Sequence, residues 1–166
     1  MCRRTGRGVY LAVVFLVAVS LTPLPVQAGQ PLDFVTASLD GKPIPLREVG
    51  DWYCDDLSFP LIRCFSEAAD LEAAVSTLLA QQAVVYVTVY DYPTYSGSYM
   101  HVSQDYNILA LIGWNDRISS FRGRNYESGV FFTDWFYSGV QYGFCCNQQA
   151  STLGSFDNTF SSIHRG

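Results

Sequence analysis

Charge is scarce in this chain. Only 15% of its 166 residues are Asp, Glu, Lys or Arg, and only two are histidine, His101 and His164. So few basic side chains leave no footprint for nucleic acid or for an anionic membrane surface. The chain lacks Gly-x-Ser-x-Gly, His-Glu-x-x-His and a phosphate-binding loop, so no nucleophile–base constellation is written in it and no enzyme is expected. Asp55-Asp56 is an acidic pair, but adjacent residues do not make a paired-carboxylate site. No Cys-x2-Cys spacing exists, which argues against zinc. The two histidines read as surface or packing residues. Long apolar runs are missing as well: Val9–Leu21 spans 13 residues, short of the roughly 20 that a membrane crossing needs.

That short run has a different meaning. Arg3, Arg4 and Arg7 precede it, Pro23 and Pro25 end it, and Val26-Gln27-Ala28 is a small-residue cleavage signal. Residues 1–28 therefore read as an export signal cut before Gly29. The mature chain would hold fifteen acidic residues against seven basic ones, a net charge of −8. This balance suits cations as partners and leaves no membrane contact after cleavage. Four cysteines remain: Cys54, Cys64, Cys145 and Cys146. An even number in an exported chain points to disulfides. Cys54–Cys64 is the favoured local bridge. For Cys145 and Cys146, a vicinal bridge and a link to the N-terminal segment both stay open.

Residues 29–83 form one section, a small α/β segment. Phe34–Leu39 reads as a short strand, Asp40-Gly41 as a hairpin turn, and 44–46 as a return that Pro43 and Pro45 confine to a sheet edge. Asp51–Phe65 reads as a stapled loop. Ser66 is a helix N-cap signal, and Leu71, Val75, Leu78 and Leu79 make an apolar stripe. The spacing predicts a helix over about 67–82 that packs its stripe on the chain's own core.

From Val84 the texture changes to short β-branched and aromatic runs between turn residues, with no further helical stripe. This section repeats. Tyr90 matches Phe132, Tyr95 matches Tyr137, Gly97 matches Gly139, Leu111 matches Leu153 and Trp114 matches Phe156, each 42 residues apart without a gap. Asn115-Asp116-Arg117-Ile118-Ser119-Ser120 likewise returns as Asp157-Asn158-Thr159-Phe160-Ser161-Ser162. A repeat with room for about four short strands per copy suggests two Greek keys, over about 84–124 and 127–166, packed as a sandwich.

Residues 84–166 resemble a βγ-crystallin domain. The resemblance is carried by Tyr90-x4-Tyr95-x-Gly97, by Phe132-x4-Tyr137-x-Gly139, and by the [Asn/Asp]-[Asn/Asp]-x-x-Ser-Ser string that follows each. Physically, the rings can pack over a folded hairpin whose corner needs glycine. What the resemblance implies is a two-site Ca²⁺ module. Each ion would take ligands from one string and a backbone carbonyl from the other motif's first hairpin. One site would use Asn115, Asp116, the Arg117 carbonyl and Ser119. The other would use Asp157, Asn158, the Thr159 carbonyl and Ser161. The hairpin carbonyls would come from near Asp91 and near Thr133 or Asp134. Each string carries one carboxylate, so weak to moderate affinity is expected, and Arg117 is expected to weaken the first site.

The function expected from these readings is a secreted, monomeric structural or interaction module in which Ca²⁺ stabilises the fold. The alternative is a secreted protease inhibitor or killer-toxin-like binder on the same fold, with an extracellular protein or protease as partner. Tyr92, Tyr95, Trp135, Phe136 and Tyr137 are the aromatics such a contact would use, although most are expected to serve the fold signature or the core.

Overall fold

The computed structural model describes residues 34–79 and 85–166. The expected export signal, its cleavage point before Gly29, the end of the helix near Gln82 and the Ala83–Val84 boundary lie outside the described residues.

Asp40 and Gly41 both take positive φ, 48° and 79°. Such a pair matches the twist of a two-residue hairpin, here joining β1 (Thr36–Leu39) to β2 (Lys42–Ile44). The return strand thus begins earlier than the expected 44–46. It is the outermost strand of its sheet, where Pro43 removes no needed ladder donor.

The stretch expected to be a stapled loop is instead a hairpin, β3 (Tyr53–Ser58) and β4 (Leu61–Phe65). Leu61-Ile62-Arg63-Cys64-Phe65 alternates between half-buried and buried positions, the period of a strand with one face on a core. The loop reading failed because Asp55 and Asp56 look unfit for a buried strand, yet both are fully buried. Arg63 Nη2 donates to Asp55 Oδ2 at 2.7 Å. The Ser103 and Gln104 amides and the Tyr106 hydroxyl donate to Asp56. Cys54 faces Cys64 in register and the two form the favoured disulfide, with Cα atoms 4.1 Å apart. Helix α1 (Ala68–Leu79) follows. Leu71 and Val75 are buried, Leu78 is half-buried, and the helix packs on β3 and β4.

The two copies of the repeat supply β5 (Val87–Tyr92), β6 (Ser96–Val102) and β7 (Ser120–Gly123), then β8 (Gly129–Asp134), β9 (Ser138–Phe144), β10 (Gln149–Ala150) and β11 (Ser162–Arg165). One segment of each copy crosses to the other. β10 pairs with β7 of the first copy, and Tyr106 of the first copy bridges to Ile163 in β11. This exchange makes two Greek keys into one sandwich. On one side, the N-terminal segment extends the first copy. β3 runs parallel to β6, Tyr53–Asp55 against Tyr99–His101, and the sheet order becomes β10-β7-β5-β6-β3-β4-β1-β2. The second sheet is β11-β8-β9.

The core is shared. Trp114, Phe121, Phe131, Phe160 and Ile163 from the repeat and Val49, Cys54 and Ile62 from the N-terminal segment belong to one buried cluster. Phe131 stacks on Phe160 at 4.8 Å between ring centroids, a core contact between β8 and the second string.

Candidate metal centre

The hairpin corners come first, because they aim everything near the strings. Tyr90 and Tyr95 sit 5.7 Å apart edge to face, and Phe132 and Tyr137 sit 5.9 Å apart. Each pair packs across a fold in its hairpin. The corner glycines, Gly97 and Gly139, have φ of 79° and 80°. A Cβ at Gly97 would press on the Tyr92 ring, and one at Gly139 would collide with Thr133 and Asp134. The last serine of each string holds the corner shut. Ser120 donates to the Tyr92 carbonyl at 2.7 Å and accepts from the Tyr95 amide. Ser162 donates to the Asp134 carbonyl at 2.6 Å and accepts from the Tyr137 amide.

The strings face one another. Asp116 and Asn158 are both left-handed, with φ of 54°. The Asp116 amide donates to the Phe160 carbonyl at 2.9 Å and the Asn158 amide to the Ile118 carbonyl at 3.1 Å. Asn and Asp tolerate that conformation better than other side-chain-bearing residues, which is one reason the strings carry them there.

An open basin of about 560 Å³ lies between the first string and the second hairpin. It is lined by Asn115, Asp116, Thr133, Asp134, Trp135, Ser138 and Ser161. String one and hairpin two line it together with Ser161. Ser119 does not line it and donates its hydroxyl to Asn158 Oδ1 at 3.0 Å on the other side. The serines cross because each strand after a string pairs with the first strand of its own copy. The Ser119 amide binds the Tyr90 carbonyl and the Ser161 amide binds the Phe132 carbonyl. Asp157 and Asn158 are exposed and do not line this basin. Thr159 donates its hydroxyl to the Phe156 carbonyl at 2.9 Å.

Trp135 is a site residue that sequence reasoning assigned only to a contact patch. Its indole N–H donates to Asn115 Oδ1 at 3.1 Å, and Asn115 Nδ2 donates to Asp116 Oδ2 at 2.6 Å. The ring therefore orients the amide, and the amide orients the carboxylate. Its position directly after Asp134 is the sequence signal that could have found it. Among the described residues no group of three His, Cys, Asp or Glu side chains gathers around a point. The basin holds two carboxylates, Asp116 and Asp134, with the Ser161 hydroxyl and the Asn115 amide, and its lining has no Lys or Arg. An all-oxygen set of this kind fits a hard cation whose shell of 6–8 oxygens is completed by carbonyls and water.

The other side differs. Arg117 does not flank the first basin. Its Nε and Nη2 donate to Asp91 Oδ1 and Oδ2 at 3.1 and 2.9 Å, and its Nη1 donates to Asp51 Oδ1 at 2.9 Å. Both Asp91 carboxylate oxygens are thus taken by a guanidinium, which fixes a positive charge at this corner.

Two buried clusters stand apart from the strings. Arg124 Nε donates to Thr88 Oγ1 at 3.0 Å, Thr88 contacts His101 Nδ1 at 2.9 Å, and His101 Nε2 contacts Glu72 at 3.2 Å. Burial lowers the His101 pKa, with Glu72 opposing it. Thr88 is fully buried and His101 nearly so, while Glu72 is exposed, and Glu72, His101 and Arg124 line a cavity of about 180 Å³ beside the helix. Asp56 is the second: burial raises its pKa to about 6 against the pull of its hydrogen bonds. Cys145 and Cys146 are free and exposed on the turn after β9. Trp135, Phe136, Tyr92 and Tyr137 are exposed rather than buried, because they stand on the outer side of the folded hairpins. Among the described residues no helix is long and apolar enough to cross a membrane.

No family profile matches the chain, and no curated protein does. Solved structures do. A βγ-crystallin from Ciona intestinalis is 22% identical, with a TM-score of 0.44, over 48% of this chain and 98% of that one. A βγ-crystallin domain from Flavobacterium johnsoniae is 28% identical, with a TM-score of 0.44, over 49% of this chain and 93% of that one. A clostrillin double mutant in complex with nickel is 15% identical, with a TM-score of 0.42, over 48% of this chain and 94% of that one. At these scores the overlaps add no weight of their own. The strand exchange, the paired corners and the matched left-handed strings carry the conclusion that the chain is mainly β and that its repeat has a βγ-crystallin-like fold.

Proposed function

We propose that this is an exported, monomeric, non-enzymatic βγ-crystallin-like module that binds Ca²⁺ at the basin of Asn115, Asp116, Asp134 and Ser161. Calcium there stabilises the folded chain. The observation that carries this reading is the convergence of oxygen donors from three separate segments, the first string, the second hairpin and the second string, on one basin whose lining has no Lys or Arg. An ion bound there would tie the two Greek keys together. Asp116 and Asp134 would supply charge, Ser161 and a hairpin carbonyl neutral oxygens, and Trp135 would keep the Asn115–Asp116 pair in place. With two carboxylates, affinity in the range of extracellular modules, about 10⁻⁴–10⁻³ M, is expected. Export follows from the basic, apolar and small-residue order of residues 1–28, and the Cys54–Cys64 bridge suits an oxidising compartment.

Equilibrium dialysis of the mature chain against radioactive calcium tests the reading. Saturable uptake that Asp116→Asn abolishes is expected; no uptake at millimolar calcium would end it.

A second reading, a binder of an extracellular protein or protease, is favoured by one observation. Trp135 and Phe136 are 50% and 64% exposed beside each other at the second corner. Aromatic side chains of this kind dominate contact energies. Inhibition of secreted metalloproteases by micromolar chain, lost in Phe136→Ala, would support it.

A further inference from the structure

The two halves of the repeat match closely in backbone at the corners and strings, and among the charges by which they differ one pair of positions bears on the second string. In the second copy, Thr133 and Thr159 hold the positions of Asp91 and Arg117 in the first. Thr133 accepts from the Val140 amide at 2.9 Å, and Thr159 donates to the Phe156 carbonyl. Neither adds charge to the basin beside them. In the first copy the same two positions are an acid and a base joined by two parallel hydrogen bonds, the fork geometry in which arginine binds carboxylate most strongly. The third guanidinium nitrogen reaches Asp51, outside the repeat, and its contacts with Asp91 and Asp51 raise the Arg117 pKa further, so the charge is permanent. The guanidinium also lies over the Trp114 ring, 5.9 Å from its centroid. A free ion would have to displace a cation that is covalently attached, half-buried and already paired with two carboxylates.

We propose that Arg117 is a built-in cation standing in for the second ion, so that this two-string domain holds one calcium ion rather than two. Asp157 and Asn158 are then turn residues, and the Asp91 corner is closed without metal. The same guanidinium joins the N-terminal segment, through Asp51, to the first Greek key. That gives the segment a reason to sit on this side of the sandwich. A Cβ at Gly50, next to Asp51, would meet Arg117 Nη1 and the Gly113 carbonyl, so the glycine leaves room for the approach.

The inference rests on the calcium reading for the first ion and is separable from it. The test is calcium titration calorimetry of the full mature chain, Asp116→Asn, Asp157→Asn and Arg117→Ala, with near-ultraviolet circular dichroism as the check of folding. The expected result is one ion for the mature chain, none for Asp116→Asn, one for Asp157→Asn, and one more for Arg117→Ala than for its parent. Two ions on the unchanged chain, or loss of the ion in Asp157→Asn, would overturn the role of Arg117 while leaving calcium binding intact. So would a folded Arg117→Ala that gains no ion. No ion on the unchanged chain would defeat the calcium reading instead, and a gain in Arg117→Ala would still sustain the stand-in. Should Arg117→Ala fail to fold, the Asp157→Asn stoichiometry decides.

Discussion

Ser119 and Asn158 are hydrogen-bonded across the two strings, hydroxyl to amide oxygen, at 3.0 Å. Their counterparts, Ser161 and Asp116, line a common basin. One half of a near-symmetric pair is closed on itself and the other is open, and the chemistry follows from that difference.

The corner clamps are expected to be costly to remove. Ser120→Ala leaves the Tyr92 carbonyl and the Tyr95 amide without their partner, and Ser162→Ala does the same to Asp134 and Tyr137. Unpaired groups of this kind cost about 1–3 kcal/mol each. Urea unfolding should show a lower midpoint with unchanged slope for either variant. The two losses should add, since the corners share no partner.

Trp135→Phe keeps the ring and removes the donor to Asn115. Losing one hydrogen bond worth about 1 kcal/mol should lower the melting temperature in chelator by a few degrees, and the loss of orientation at Asn115 and Asp116 should weaken calcium binding by at most roughly fivefold. Dialysis and a melt on the same sample separate the two effects.

Asp56 gives the fold a pH dependence of known sign. Its pKa is 3.8 when free and about 6 when buried. Between those values the folded chain takes up a proton that the unfolded chain does not. Its contribution to stability is therefore greatest below pH 4, falls as pH rises to about 6, and is flat above that. The difference is on the order of 3 kcal/mol. The stability gap between the natural chain and Asp56→Asn, measured by urea unfolding from pH 4 to 7, should shift in favour of the variant as pH rises.

Reduction of Cys54–Cys64 is expected to cost about 2–4 kcal/mol. The bridge joins facing positions of β3 and β4, so the loss should appear as a lower melting temperature for Cys54→Ser/Cys64→Ser.

What could be read from the sequence was local or periodic. The repeat exposed the paired corners, because Tyr90–Tyr95 and Phe132–Tyr137 must recur at one spacing for the rings to cross a fold. The Asp40-Gly41 turn and the α1 stripe were legible for similar reasons. What stayed hidden depends on partners far away in the chain. Nothing near Asp55-Asp56 announces Arg63 in the next strand or Ser103, Gln104 and Tyr106 in the repeat. The parallel pairing of β3 with β6 has no local signature. The exchange of Ser119 and Ser161, and the reach of Arg117 to Asp91 and Asp51, are set by how the strings cross rather than by their spacing.

The most direct measurement of the central claim is a thermal melt of the mature chain and of Asp116→Asn, each in excess calcium and in chelator. Binding to the folded state alone adds about 2.7 kcal/mol at a hundredfold excess over Kd. The melting temperature of the natural chain should therefore rise by several degrees in calcium, and that of Asp116→Asn should not. An unchanged midpoint for the natural chain at millimolar calcium, or an equal rise in Asp116→Asn, would contradict the assignment of the basin.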